Sequence, residues 1–205
     1  MIVHRTAVVF SLLLLLVSLP AEAVLAKGDR LKPFSLKALD GRQVTIAVQD
    51  GRLTVIEGDI IFHPAAVLID FWATWCVPCR KAMPVMQKLH DTYKPASDVT
   101  EGGLKLFGLS LDVKGSRIVK PFFERMKFTY DMLADPPDAA LPSGVLGTAK
   151  EIAAAYDVQE IPVVYIIDAS GTIVHVHVGF KDEHAVELEA AVSALVSSGT
   201  EKAGQ

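Results

Sequence analysis

Cysteine is scarce in this chain: there are two among 205 residues, both inside "ATWCVPCRKAMP" at 73–84. Two thiols cannot hold a structural zinc ion alone, since such a site takes about four ligands. An excess of positive charge is lacking too. The net charge is −4 and no basic stripe runs along the sequence, which argues against a nucleic-acid partner. Internal repeats and low-complexity tracts are absent, which excludes solenoids and disordered arrays. Long hydrophobic runs are also missing. The longest, Ala7 to Leu19, falls short of the ~20 residues a membrane-spanning helix needs.

That run carries information of its own. It follows His4-Arg5, ends at Pro20, and gives way to the small residues Ala21-Glu22-Ala23. A basic start, an apolar middle and a small-residue cleavage site are the order of a secretory signal. The expectation is a signal peptide over 1–23, with Val24-Leu25-Ala26 as an alternative cleavage site. An uncleaved membrane anchor is the other possibility. No cysteine follows the run closely, so lipid attachment at a new N-terminal cysteine is excluded. The mature chain is expected in a periplasm, where cysteines meet an oxidising environment.

What remains is about one domain, rich enough in Val, Ile, Leu and Ala to build a core without staples. "FSLKALDGRQVTI" alternates around Asp40-Gly41 and reads as a hairpin. "RLTVIEGDIIFH" adds strands around a turn at Glu57-Gly58-Asp59. "AVLIDF" is a short continuous apolar run, suited to a strand buried on both faces. Met83, Met86, Leu89 and Tyr93 then recur at helical spacing, predicting one long helix that ends before Lys94-Pro95.

"LKLFGLSLD" is a second buried strand, and "IVKPFFERMKF" a helix starting near Pro121. "ADPPDAALPSG" is a loop by composition. "TAKEIAAAYDV" is a helix, "VVYIID" and "TIVHVHV" a hairpin, and Leu188, Val192 and Leu195 one face of a last helix. This order implies an α/β fold, a mixed central sheet flanked by helices.

The cysteine pair has competing readings. Cys76 falls where the buried strand has ended and the helix begins. Cys79 lies one turn on, so the sulfurs can meet. At a helix N-terminus the dipole favours a thiolate, the reactive species. Cys76 is then the exposed nucleophile and Cys79 the buried resolving thiol. A structural disulfide would close a very short loop and gain least.

A metal site would need partners such as His175 and His177, which share one strand face. They read more simply as polar residues on a solvated face, so no metal ligands are assigned. His63, His90 and His184 read as isolated surface residues. A peroxiredoxin-type peroxidase would want Thr or Ser at 73 and Pro at 69; Ala73 and Ile69 stand there. A metallochaperone-like binding protein using Cys76, Cys79 and a histidine is a further alternative. Its copper-delivery relatives carry C-x-x-x-C, unlike this chain.

"FWATWCVPCRKAMP" resembles the thioredoxin active site, in the form found in the TlpA/ResA-like family of exported thiol:disulfide oxidoreductases. "EIPVVYIIDASGTI" resembles that family's cis-proline strand and hairpin, and "FSLKALDGRQVTI" its N-terminal hairpin. The resemblance spans most of 33–196. It implies a thioredoxin-like domain over 30–198, with a central insertion at 113–148 and a flexible tail over 199–205.

The resemblance also implies residue roles. Ile161-Pro162 matches the cis-Pro beside the cysteines; an ordinary trans Pro opening a strand is the alternative. Asp70 matches the buried acid that takes the proton of Cys79; the alternative is an acid at a strand end that reaches solvent or caps a neighbouring turn. Trp75, Val77, Pro78, Ile161 and Pro162 are expected to face substrate, and Pro84 to kink the helix. Phe107-Gly108-Leu109 stand where thioredoxin carries a lysine near its acid.

The implied reaction is dithiol exchange, in the reducing direction, with no cofactor beyond the Cys76–Cys79 couple. The implied partners are a disulfide-bearing exported protein and a membrane thiol donor. Apocytochrome c and copper-centre assembly proteins are among the family's substrates.

Overall fold

The structure is a computed structural model that describes residues 25–136 and 147–203, with side chains through 199. The signal-segment expectation over 1–23 lies outside the described residues. So does most of the loop "ADPPDAALPSG". Among the described residues no helix is long and apolar enough to cross a membrane.

Two sheets form. The first is an antiparallel meander of β1 (Phe34–Lys37), β2 (Gln43–Gln49), β3 (Arg52–Glu57) and β4 (Ile60–Phe62). The second contains β5 (Ala66–Trp72), β6 (Leu104–Ser110), β7 (Asp131–Leu133), β8 (Val163–Asp168) and β9 (Ile173–Val178), in the order β7-β6-β5-β8-β9. β6 and β7 run parallel to their neighbours, while β8 and β9 run antiparallel.

The helices are α1 (Val77–Tyr93), α2 (Ser116–Met126), α3 (Ala149–Ala155) and α4 (His184–Ala203). α2 starts at Ser116, earlier than the sequence suggests, and carries Pro121 inside it. Pro121 is exposed, so water can serve the carbonyl its missing N–H leaves unpaired. α4 runs on to Ala203, past the point where the sequence places a polar tail.

β5 is buried at every position because it lies at the centre of two cores. Val67, Ile69 and Phe71 face one core, shared with Phe34, Val44 and Val55 of the first sheet and Ile152 of α3. Ala66, Leu68 and Trp72 face the other, shared with Met83 and Met86 of α1, Phe122 of α2 and Leu188 of α4. The side chains of a strand alternate between faces, so a strand covered on both sides must be apolar throughout. Asp70 is its one ionisable member.

The chain before β1 lies along β9. Gly28 N–H donates to Ile173 O at 2.8 Å, and Ile173 N–H donates back to Asp29 O at 2.8 Å. Arg30 clasps the β8–β9 turn, donating to Ser170 O at 2.6 Å and Thr172 Oγ1 at 2.9 Å. Leu25 packs against the first core.

Candidate active site

The site sits at the C-terminal end of β5, where Ala73–Trp75 turn the chain into α1. Cys76 is the N-cap of α1, with extended backbone, and its Sγ accepts the Cys79 N–H at 3.2 Å. That place normally belongs to a Ser, Thr, Asp or Asn oxygen, which takes up an amide the first turn leaves unpaired. A sulfur there gains the same amide and the positive end of the helix dipole, both of which favour the thiolate. Pro78 fits the first turn because no amide is required there. Pro84 lies inside the helix.

Cys76 and Cys79 are joined as a disulfide, with Cα atoms 5.3 Å apart. Cys79 is fully buried, but Cys76 also exposes only 4% of its surface. The exposed nucleophile expected from sequence is therefore largely covered in this oxidised form. Capping turns its Sγ toward the helix, and Ile161 O lies 3.8 Å from it. The side chains open to solvent are its neighbours Trp75, Val77 and Pro78, with Trp75 67% exposed.

The Ile161–Pro162 bond is cis. Pro162 is buried and Ile161 half-buried. Pro162 leads directly into β8, and its carbonyl accepts the Gly179 N–H at 2.8 Å. The cysteine pair, Ile161 and Pro162 are thus gathered at one end of the sheet.

Asp70 alternates with Leu68 and Trp72 and so faces the core that holds both cysteines. It is fully buried, which removes the alternative of an acid reaching solvent. Neither carboxyl oxygen has a hydrogen-bond partner among the described residues. Burial alone pushes its pKa up to about 7. Its neighbours in register are Gly108 on β6 and Val164 on β8. Gly108 offers no side chain, and a Cβ there would meet Met132 Cε at 2.5 Å and Trp72 Nε1 at 3.3 Å. Tyr130 has a buried hydroxyl, also without a hydrogen-bond partner among the described residues. Burial and then the nearby Asp70 charge push that phenol up.

Sequence reasoning missed Asp112. It is buried and accepts three hydrogen bonds: Thr74 N–H at 2.8 Å, Thr74 Oγ1–H at 2.7 Å and Ser110 Oγ–H at 2.8 Å. It ties the end of β6 to the turn before Cys76. The available signal was an acid just after a buried strand, "LKLFGLSLD", at the level where the neighbouring parallel strand delivers the cysteines.

The histidines of β9 do not lie on a freely solvated face. His175 and His177 are half-buried, with parallel rings whose centroids are 5.9 Å apart. The His184 ring packs on His177 with centroids 3.7 Å apart, so His184 is not isolated. Burial lowers the pKa of both His175 and His177.

A redox-active dithiol at a helix N-terminus, on a thioredoxin-like sheet, defines the class: this is a thiol:disulfide oxidoreductase. Thioredoxin-like protein YneN of Bacillus subtilis is 29% identical over 166 residues, covering 81% of this chain and 79% of that protein. Thiol-disulfide oxidoreductase ResA of Halalkalibacterium halodurans is 25% identical over 168 residues, covering 82% and 77%. Among solved structures, a DsbE-type thiol:disulfide interchange protein from Chlorobium tepidum matches with TM-score 0.60 and 25% identity, over 84% of this chain and 99% of that one. The chain belongs to the AhpC/TSA family, whose family model matches residues 27–176.

Proposed function

We propose that the chain is an exported protein-disulfide reductase. The observation that carries this reading is Cys76 Sγ at the N-cap of α1, accepting the Cys79 amide beside the Ile161 carbonyl. The reduced pair presents a stabilised Cys76 thiolate. It attacks one sulfur of a substrate disulfide, the other substrate sulfur leaves as a thiolate, and a mixed disulfide forms. Cys79 then gives up its proton and attacks Cys76 Sγ. The Cys76–Cys79 bond forms and the second substrate thiolate departs. The substrate gains two electrons and the dithiol loses them.

Asp70 is the proton acceptor for Cys79, acting through water. With a pKa near 7 it can hold and release a proton at neutral pH. Trp75, Val77 and Pro78 form the exposed surface that meets substrate. The edge of the chain around Ile161 and Pro162 receives the substrate backbone. The substrate is a disulfide-bearing exported protein, of the kind represented by apocytochrome c or a copper-centre assembly factor. A membrane thiol donor restores the dithiol. Export rests on the basic, apolar, small-residue order of residues 4–23.

The test is a trap. Cys79→Ser should accumulate mixed disulfides with the substrate, which mass spectrometry identifies, while Cys76→Ser should lose disulfide reduction altogether. Full activity in Cys76→Ser sinks the mechanism. A potential in the range of strong oxidants such as DsbA, about −120 mV, reverses the direction.

A further inference from the structure

β9 and the start of α4 bring together a second set of chemical groups. A ring nitrogen of His175, a ring nitrogen of His177 and a carboxylate oxygen of Glu187 all lie within 4.8 Å of one another. The Nε2 atoms of His175 and His177 are buried and have no hydrogen-bond partner among the described residues. Buried polar nitrogens are nearly always satisfied, so two such atoms side by side call for a ligand. We propose that His175, His177 and Glu187 form a binding site for a divalent first-row transition metal ion, with Zn²⁺ the best match.

The donor set decides the class of ion. Two imidazoles and one carboxylate suit Zn²⁺ and its neighbours in the series, whereas Mg²⁺ and Ca²⁺ take oxygen ligands. Two histidines with one glutamate are also a known zinc set that leaves a fourth position open. The scaffold fits the demand. His175 and His177 are two apart on one strand, so both rings project from the same face. Their rings are already parallel, within 3°. Glu187 is exposed, one turn into α4, and its side chain can swing inward. Donor atoms around a tetrahedral zinc lie roughly 3.4 Å apart, given Zn–N and Zn–O bonds near 2.1 Å, against no more than 4.8 Å here.

The cysteines are not part of this site. His177 pairs with Val164, and Val164 pairs with Asp70, so His177 lies two strands from the buried acid. That is roughly 10 Å at the usual strand spacing. A bound ion would link β9 to α4 beside the strand that follows Pro162. The ion would act as a clamp on the substrate-facing edge, without entering the exchange chemistry.

The experiment uses tag-free mature protein in the disulfide form, where Cys76 and Cys79 cannot ligate. Zn²⁺ is titrated in competition with a chromophoric chelator, and thermal unfolding is followed with and without the ion. One saturable equivalent and a raised Tm are expected. His175→Ala, His177→Ala and Glu187→Gln should each weaken binding at least tenfold. Glu187→Gln is the decisive variant, because an exposed side chain can change without disturbing the fold; its Tm without metal should match the parent. No saturable binding to the oxidised protein overturns the proposal, and so does Zn²⁺ affinity unchanged by Glu187→Gln and His177→Ala. Binding seen only after reduction also overturns it and points to the cysteines.

Discussion

Two buried aspartates stand at the same end of adjacent parallel strands, in opposite circumstances. Asp70 of β5 has no hydrogen-bond partner among the described residues, and burial pushes it up to about 7. Asp112, just past β6, accepts from Thr74 twice and from Ser110. The first is left unsatisfied on the face of β5 that looks into the core holding the dithiol, and the second is engaged in holding the turn that precedes Cys76. An unpaired buried polar group costs roughly 1–3 kcal/mol, so a fold keeps one where it is used. The difference separates a group able to exchange a proton from a group that fixes geometry.

Asp70→Asn should give the largest effect. Below its unfolded value near 3.9, Asp70 is protonated in both states and contributes no pH dependence. Between there and about 7 the folded state holds the proton and the unfolded state does not, so stability falls as pH rises. The full loss is about 4 kcal/mol. Denaturant unfolding of the oxidised parent and of Asp70→Asn, from pH 4 to 8.5, should give curves that diverge across this window, with the variant the more stable at high pH. Resolution of the mixed disulfide in the same variant should slow by ~10²-fold or more near neutral pH. Parallel stability curves would place Asp70 among the solvated acids.

Asp112→Ala comes next. It strands the Thr74 amide and two hydroxyls, and should cost about 2–4 kcal/mol in urea unfolding. Its effect on exchange should come through the turn, as a uniform fall in rate with an unshifted pH profile. A shifted profile would make the two aspartates alike.

Gly108→Ala tests the space beside Asp70. The new methyl meets Met132, whose Sδ accepts the Trp72 Nε1–H at 2.8 Å. Overpacking should cost about 1–3 kcal/mol. Thr74→Val removes one of the two donors that Thr74 offers Asp112 and should cost about 1 kcal/mol, the smallest change of the four.

The strands and helices that follow a local period were legible from sequence. The apolar run of β5, the hairpin of β1 and β2, and α1 with its Met and Leu face all stand where their patterns place them. Cys76 and Cys79 announce themselves by spacing and by the strand before them. Features made by lateral pairing were not legible. No local signal says that Gly108 lies beside Asp70, since that register joins residues far apart in the chain; only the thioredoxin resemblance set Phe107-Gly108-Leu109 near the acid. The three-residue strand β7 owes its conformation to β6 rather than to its own sequence. Pro121 misled because proline favours a first turn, yet an exposed helix face tolerates it further in. His175 and His177 were read from one strand alone, and the rings of His184 and Glu187's carboxylate arrive from α4.

The clasp of Arg30 on the β8–β9 turn fixes the polarity of the whole particle. Asp168, at that turn, pairs with Ala66 at the start of β5, whereas Cys76 follows the strand's other end. Seven strand residues, roughly 20 Å, separate the two poles. Arg30 therefore ties the segment before β1 to the pole away from the dithiol. The clasp closes one pole of the sheet with backbone and side-chain bonds and leaves the entry of Cys76 into α1 to the other.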